Sequence, residues 1–246
     1  MKVIFVGTAP CTPDIGKEAA SFMINKNILV DTGWCNVLKM REYGLDAADI
    51  KYLVLTHLHQ DHYLGLPHLL FYLWSRRSAG KAVCPLTIVG PSRNVCEIVE
   101  TSKKFLQWER FPELVIDIDV VPIVPGETYT GDDFILETIA AKHVSGGKVA
   151  AEALAGKITY PAAGNTMVFS GDTSFHPPLA EFARKTPLLI HDAAHSAPEE
   201  AAQIAKMAGA ERLYLIHGQQ KEEMLDDVRR IFPKTFIARE GLAVDF

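Results

Sequence analysis

The sequence predicts a mixed α/β chain with two sheets and outer layers of helix, and three observations carry that prediction. Short β-rich runs recur from end to end, helical patterns separate only some of them, and no low-complexity or linker-like stretch interrupts the chain. Length alone would allow one large domain or two small ones, but with no boundary visible the 246 residues read as a single domain, 1–246.

The chain opens on MKVIFVGTAPCTPD, whose apolar run breaks at Gly7 and so reads as a first strand, not a signal peptide. SFMI, NILVDTG and KYLVLTH continue the strand pattern. The stretch 64–77 carries Leu66, Leu69, Leu70 and Leu73 on one face and ends in basic residues before Gly80, as a helix does. Within it LGLPHLLFYLW (64–74) is aromatic enough to bury a partner face in a homodimer, or to pack into the chain's own core. LTIVG, LVIDIDVVPIV, FILETIAAKHV, NTMVFSGDT, PLLIHDAAH, RLYLIHG and FIAREGLAVDF supply the later strands. SAPEEAAQIAKMAGA marks a helix start, with Ser196 and Glu199 at capping-box spacing, Pro198 in the first turn and Gly209 as the stop. In 219–232, Met224, Leu225, Val228, Ile231 and Phe232 form the stripe of a half-buried helix.

Composition narrows the class. At 48% apolar and 22% charged residues the chain has material for a sizeable core, and no apolar run nears the roughly 18 residues of a membrane span. Cys11, Cys35, Cys84 and Cys96 form no CxxC pair and read as buried, reduced thiols of a cytoplasmic protein; Cys84 and Cys96 would bridge only in an oxidising compartment. Net charge is −5, and the basic doublets at 76–77, 103–104 and 229–230 read as solvated helix faces. Charge neither advertises an RNA substrate nor forbids one.

Chemistry concentrates at strand ends. His57, His59, His62, His143, His191, His195 and His217 each lie at or just past the end of an apolar run, as do Asp31, Asp172 and Asp192. Such ends and their loops are where sheet-based folds usually bind ligands. His68 and His176 break the pattern. Taken singly, a strand-end His is ordinarily a satisfied hydrogen-bonding residue, and an Asp before Thr or Gly a turn or cap. THLHQDH, residues 56–62, is different. Alternation puts His57 and His59 on one side of the strand end, and the turn brings Asp61 and His62 back into the same space. Four such groups converging there are costly unless a divalent cation satisfies them, and imidazole with carboxylate suits zinc and related ions. The remaining strand-end residues suggest two ions, with Asp172 bridging and His143 and His217 each completing one.

With these residues placed, the chain resembles the metallo-β-lactamase-fold hydrolases, and within them the ribonuclease Z branch and its phosphodiesterase relatives. VIFVGTAPCTP is similar to that branch's opening, ILVDTG to its first motif aspartate, and THLHQDHYLGLPHLL to the signature H-x-H-x-D-H and its helix. The single His143, SGDT, LLIHDAAHS and LYLIHG follow in family order. The resemblance implies an αβ/βα four-layer sandwich of two mixed sheets with outer helices. It implies two divalent ions, zinc first and manganese or iron as alternatives: one on His57, His59 and His143, the other on Asp61, His62 and His217, with Asp172 between them. Asp31 would orient ligands. The activity implied is attack of a metal-bridging hydroxide on a phosphodiester, with Asp61, His195 and Asp192 as catalytic residues. His195 would be the general acid and Asp192 its orienting carboxylate, and His191 is the rival acid.

Two departures bear on the substrate. Between His143 and Asp172 the chain has room only for a hairpin or short loop where the tRNA enzymes of the family carry a long arm, and after His217 it reads GQQKEE. A smaller phosphodiester fits these shorter loops. The same site chemistry also allows hydrolysis of a carbonyl ester, lactone, lactam or thioester, and relatives without activity exist as scaffolds.

Overall fold

Runs of β-branched and aromatic residues pair into two seven-stranded sheets in the computed structural model, which describes residues 1–145, 148–149 and 152–246. In chain order, β1 (Lys2–Gly7), β2 (Ser21–Ile24), β3 (Ile28–Val30), β4 (Tyr52–Val54), β5 (Leu86–Pro91) and β6 (Ile118–Ile123) build the first sheet. The second is built from β7 (Thr128–Thr130), β8 (Ile135–Ala140), β11 (Leu154–Tyr160), β12 (Asn165–Phe169), β13 (Leu189–Asp192), β14 (Leu213–Ile216) and β15 (Thr235–Ile237). β9 (Val144–Ser145) and β10 (Lys148–Val149) form a separate antiparallel ribbon, and β16 (Ala243–Asp245) returns to the first sheet beside β1. Strand order is β16-β1-β2-β3-β4-β5-β6 in one sheet and β15-β14-β13-β12-β11-β8-β7 in the other.

Each sheet is antiparallel at one end and parallel at the other. Pairing is parallel from β3 to β6 and from β12 to β15. The central parallel strands are short apolar runs, buried along their length, as expected where both faces are covered. One core fills the space between the sheets, where Phe5 meets Tyr214 and Phe22 meets Phe169 with ring centroids 5.6 and 5.7 Å apart. The Phe169 ring lies over Gly156, its partner on β11, where an added Cβ would sit 2.2 Å from the ring. Helices α1 (Asn36–Glu42), α2 (Gln60–Tyr63), α3 (Leu66–Ser78) and α4 (Val95–Phe105) belong to the first half; α5 (Pro178–Phe182), α6 (Pro198–Ala208) and α7 (Leu225–Ile231) belong to the second. Leu66, Leu69, Leu70 and Leu73 bury the α3 face on the first sheet. Ala201, Ala202, Ala205 and Ala208, with Ile204, bring α6 close onto the second. Among the described residues no helix is long and apolar enough to cross a membrane.

Four sequence expectations need correction. The α6 cap sits one residue later than the spacing suggests: the Glu200 carboxylate accepts from Ala197 N at 2.9 Å, while Ser196 Oγ donates to Thr173 O at 2.6 Å. The helix expected over 219–232 is shorter, a 3₁₀ turn at Glu222–Met224 followed by α7, because Gly218 and the following polar residues form a loop. FIAREGLAVDF is not one strand but β15 and β16 in different sheets, divided at Gly241 (φ +78°). The cysteines are free, but Cys11 and Cys96 are exposed and Cys35 and Cys84 half-buried, so none is a core thiol.

Glu18 ties the loops that approach the parallel strand ends. Its buried carboxylate accepts from Ala19 N, Trp34 N and Cys35 N at 2.7–2.8 Å, and its carbonyl accepts from Thr8 N and Ala9 N. Glu18→Ala leaves these three amide donors without that partner, and it should cost about 2–4 kcal/mol, read as a lowered urea midpoint at unchanged slope. An unchanged midpoint would show that water serves these amides equally well.

Candidate metal centre

The C-terminal ends of β3, β4, β12, β13 and β14 converge on one edge of the sandwich and carry almost every singled-out residue. Asp31 follows β3, and Thr56 and His57 follow β4. The chain then turns into α2, whose short first turn presents Asp61 and His62 beside His59. Asp31 adopts φ +56° and His217 φ +66°, a left-handed backbone that non-glycine residues rarely take. Hydrogen bonds hold both there: Asp31 N donates to Val54 O, and His217 N to Thr8 O at 3.0 Å. Gly171, also left-handed at +56°, turns the chain after β12 under Leu154 O, 2.5 Å from where a Cβ would lie, and so aims Asp172 inward.

Two triads result. One nitrogen from each of His57, His59 and His143 lies within 4.8 Å of the others, and so do one atom from each of Asp61, His62 and His217. His143 Nε2 approaches His59 Nδ1 to 2.9 Å. Asp172 stands between the triads: its Oδ2 is 3.7 Å from His57 Nε2 and 3.4 Å from His62 Nε2, and its Oδ1 is 3.4 Å from His217 Nδ1. All seven groups named as metal ligands are brought together.

Supporting carboxylates fix the rings. Asp31 accepts from Thr56 N, Thr56 Oγ1 and, at 2.8 Å, from His62 Nδ1, which leaves His62 Nε2 facing Asp61 and Asp172. Asp192 does the same for His217 Nδ1 at 3.1 Å while Nε2 reaches Asp61 at 3.3 Å. Asp192 also accepts from Thr173 N, Ala194 N and His195 N and lies 3.3 Å from His195 Nδ1. It therefore serves two histidines, not His195 alone. Thr56 and Ser170, whose Oγ accepts from Asp192 N at 2.9 Å, are supporting residues that sequence reasoning passed over. Thr56 stood in plain view as the first letter of THLHQDH.

Electrostatics follow the geometry. Burial drives His57 well below the usual imidazole range and His143 down to about 4, so both present lone pairs. Burial pushes His62 and His217 the same way, but Asp172 with Asp31 outweighs it at His62, and Asp172 with Asp192 carries His217 up to about 10. Against burial, the imidazoles hold Asp61, Asp172 and Asp192 below the carboxylate range. His195 is raised by its hydrogen bond to Asp192, with burial opposing.

His57 Nε2, His62 Nε2 and His143 Nδ1 are buried without a hydrogen-bond partner. Three such atoms beside clustered carboxylates are expensive in a protein interior, and a divalent cation is the group whose chemistry matches lone pairs and negative charge together. The residues fit a metal.

The rival acids separate cleanly. His195 lines an open cleft of about 350 Å³ with Pro10, Cys11, Gln60, Asp61 and His217, its side chain 30% exposed. His191 has no solvent exposure, donates from Nδ1 to Asp192 O, and belongs to none of the metal-competent groups. His68 on α3 and His176 in the loop before α5 also lie outside these groups.

A family model described as the beta-lactamase superfamily domain matches residues 26–218. Ribonuclease Z of Geobacillus kaustophilus is 25% identical over all of this chain and 97% of its own length. The metallo-beta-lactamase fold protein YhfI from Bacillus subtilis shares the fold with a TM-score of 0.80 at 23% identity, covering 99% of this chain and 98% of that one. The short form of human tRNase Z superposes with a TM-score of 0.77 at 21% identity over 100% and 99%.

Proposed function

Since the chain belongs to the beta-lactamase superfamily, as a metal-dependent hydrolase with its ribonuclease Z-like architecture, we propose that it is a phosphodiesterase working at a two-cation site. The observation that carries the reading is Asp172, a buried carboxylate within 3.7 Å of imidazoles from both triads. His57, His59 and His143 would hold one ion and Asp61, His62 and His217 the other, with Asp172 shared. Zinc suits these donors best, and manganese and iron are alternatives. When bound, a pair of divalent cations supplies a hydroxide nucleophile at neutral pH and neutralises charge growing on phosphoryl oxygens.

The chain's own groups do the rest. Asp31 and Asp192 fix the tautomers of His62 and His217, so each ring offers Nε2 inward. His195, held at Nδ1 by Asp192, keeps its other nitrogen for a proton. As the hydroxide oxygen forms its bond to phosphorus, the bond to the leaving oxygen breaks, and that oxygen keeps the electron pair and takes the His195 proton. The products are a phosphomonoester and an alcohol. The modest cleft supports a small diester, and relatives named ribonuclease Z favour phosphorus over carbonyl as the centre attacked.

Elemental analysis followed by a substrate panel tests this. The purified protein should carry about two equivalents of divalent metal and turn over bis(p-nitrophenyl) phosphate, and a chelator should abolish that turnover. A metal-loaded protein that ignores the diester but opens a lactone or chromogenic lactam would overturn the reading.

A further inference from the structure

A second cleft, about 730 Å³, adjoins the metal cleft. Pro10 lines both, and His217 of the metal cleft is followed directly by Gly218 of the second. Gln220 Nε2 donates to Ala193 O at 2.6 Å, which holds the floor of the second cleft against the loop bearing His195. A ligand seated on His195 and the triads therefore has a polar space twice as large open beside it.

The charges in that space are unevenly committed. Glu222 is bound by Arg229 and Arg239, both at 3.0 Å. Glu240 accepts from Glu18 N at 2.8 Å and Tyr43 OH at 3.4 Å and faces Lys39 at 3.5 Å. Lys17, on the β1–β2 loop, and Lys221, on the loop after β14, enter no ion pair among the described residues; nor does Asp14. The unpaired charge in this lining is thus two ammonium groups against the single carboxylate of Asp14, a net positive charge in a chain whose net charge is −5. Two ammonium groups from separate loops, unpaired beside a site built for a phosphodiester, suit one ligand chemistry: a second phosphoryl group.

We propose that Lys17 and Lys221 form an anion subsite that takes a phosphoryl group carried by the substrate beyond its scissile diester. The proposal rests on the phosphodiesterase reading and narrows it. It favours diesters bearing an additional phosphate, and disfavours cyclic nucleotides, which have only one.

Adenosine 3′,5′-bisphosphate tests the subsite without turnover, since it contains no diester. Calorimetry on the metal-loaded protein should show it binding roughly tenfold tighter than 3′-AMP or 5′-AMP, the sum of two exposed charge pairs. The preference should shrink as salt is raised. Lys17→Ala with Lys221→Ala should abolish that preference and leave monophosphate binding and bis(p-nitrophenyl) phosphate hydrolysis unchanged. Equal binding of bisphosphate and monophosphates to the native protein, or a preference that survives the double substitution, would overturn the subsite. Failure to hydrolyse bis(p-nitrophenyl) phosphate would instead count against the phosphodiesterase reading, while the binding comparison still decides the subsite.

Discussion

Asp172→Asn should leave a folded protein that binds its metals at least about 100-fold more weakly and has almost no turnover, a larger loss than removing a merely supporting partner causes. The side chain is 5% exposed and touches His57, His62 and His217. Asparagine keeps the shape and one oxygen but removes the charge placed between the two triads. Both ions should weaken together, because each loses the same shared carboxylate. Competition against a chromophoric chelator reads the affinities directly, and circular dichroism checks the fold. Loss of a single ion with the other untouched would show that Asp172 belongs to one triad alone. The shared-carboxylate proposal would then fail.

His195→Ala should separate chemistry from metal binding. The expected result is full metal content with turnover reduced about 10²–10⁴-fold on a diester whose leaving group is an alkoxide, the usual scale for losing a general acid. On bis(p-nitrophenyl) phosphate the loss should be far smaller, because p-nitrophenolate leaves without needing a proton. That contrast matters here because His195 also stands 3.5 Å from Asp172 and stacks on His217 with ring centroids 5.4 Å apart, so it could instead be a ligand. A ligand role predicts lost metal and equal losses on both esters. Uniform damage would therefore remove His195 from proton transfer.

Much of this site was legible before any folding was considered. In THLHQDH the spacing itself does the work: period-two alternation sets His57 and His59 on one side, and the next turn returns Asp61 and His62. The strand-end positions of His143, Asp172 and His217 were equally readable, since each follows an apolar run. Chain order likewise indicated two mixed sheets with helices outside, and the two seven-stranded sheets match it. β11 escaped notice because LAGKITY is small and polar in places; it is a strand because β8 and β12 pair with it on both sides.

Other questions had no local answer. His191 and His195 lie in one short stretch of sequence, and both follow the same apolar run. Alternation along β13 turns Asp192 toward the site and His191 away from it, and only the packing of the second sheet against α6 determines which side is which. The double duty of Asp192 arises the same way, since His217 comes from a neighbouring strand, 25 residues on. Sequence by itself determined the types of the clustered side chains, their strand-end placement and the two-sheet plan, because these depend on short-range periodicity. Tertiary structure alone decided which of His191 and His195 faces the cleft, that Asp192 serves both His195 and His217, and which lysines border the neighbouring space, because those depend on distances between strands that no local spacing encodes.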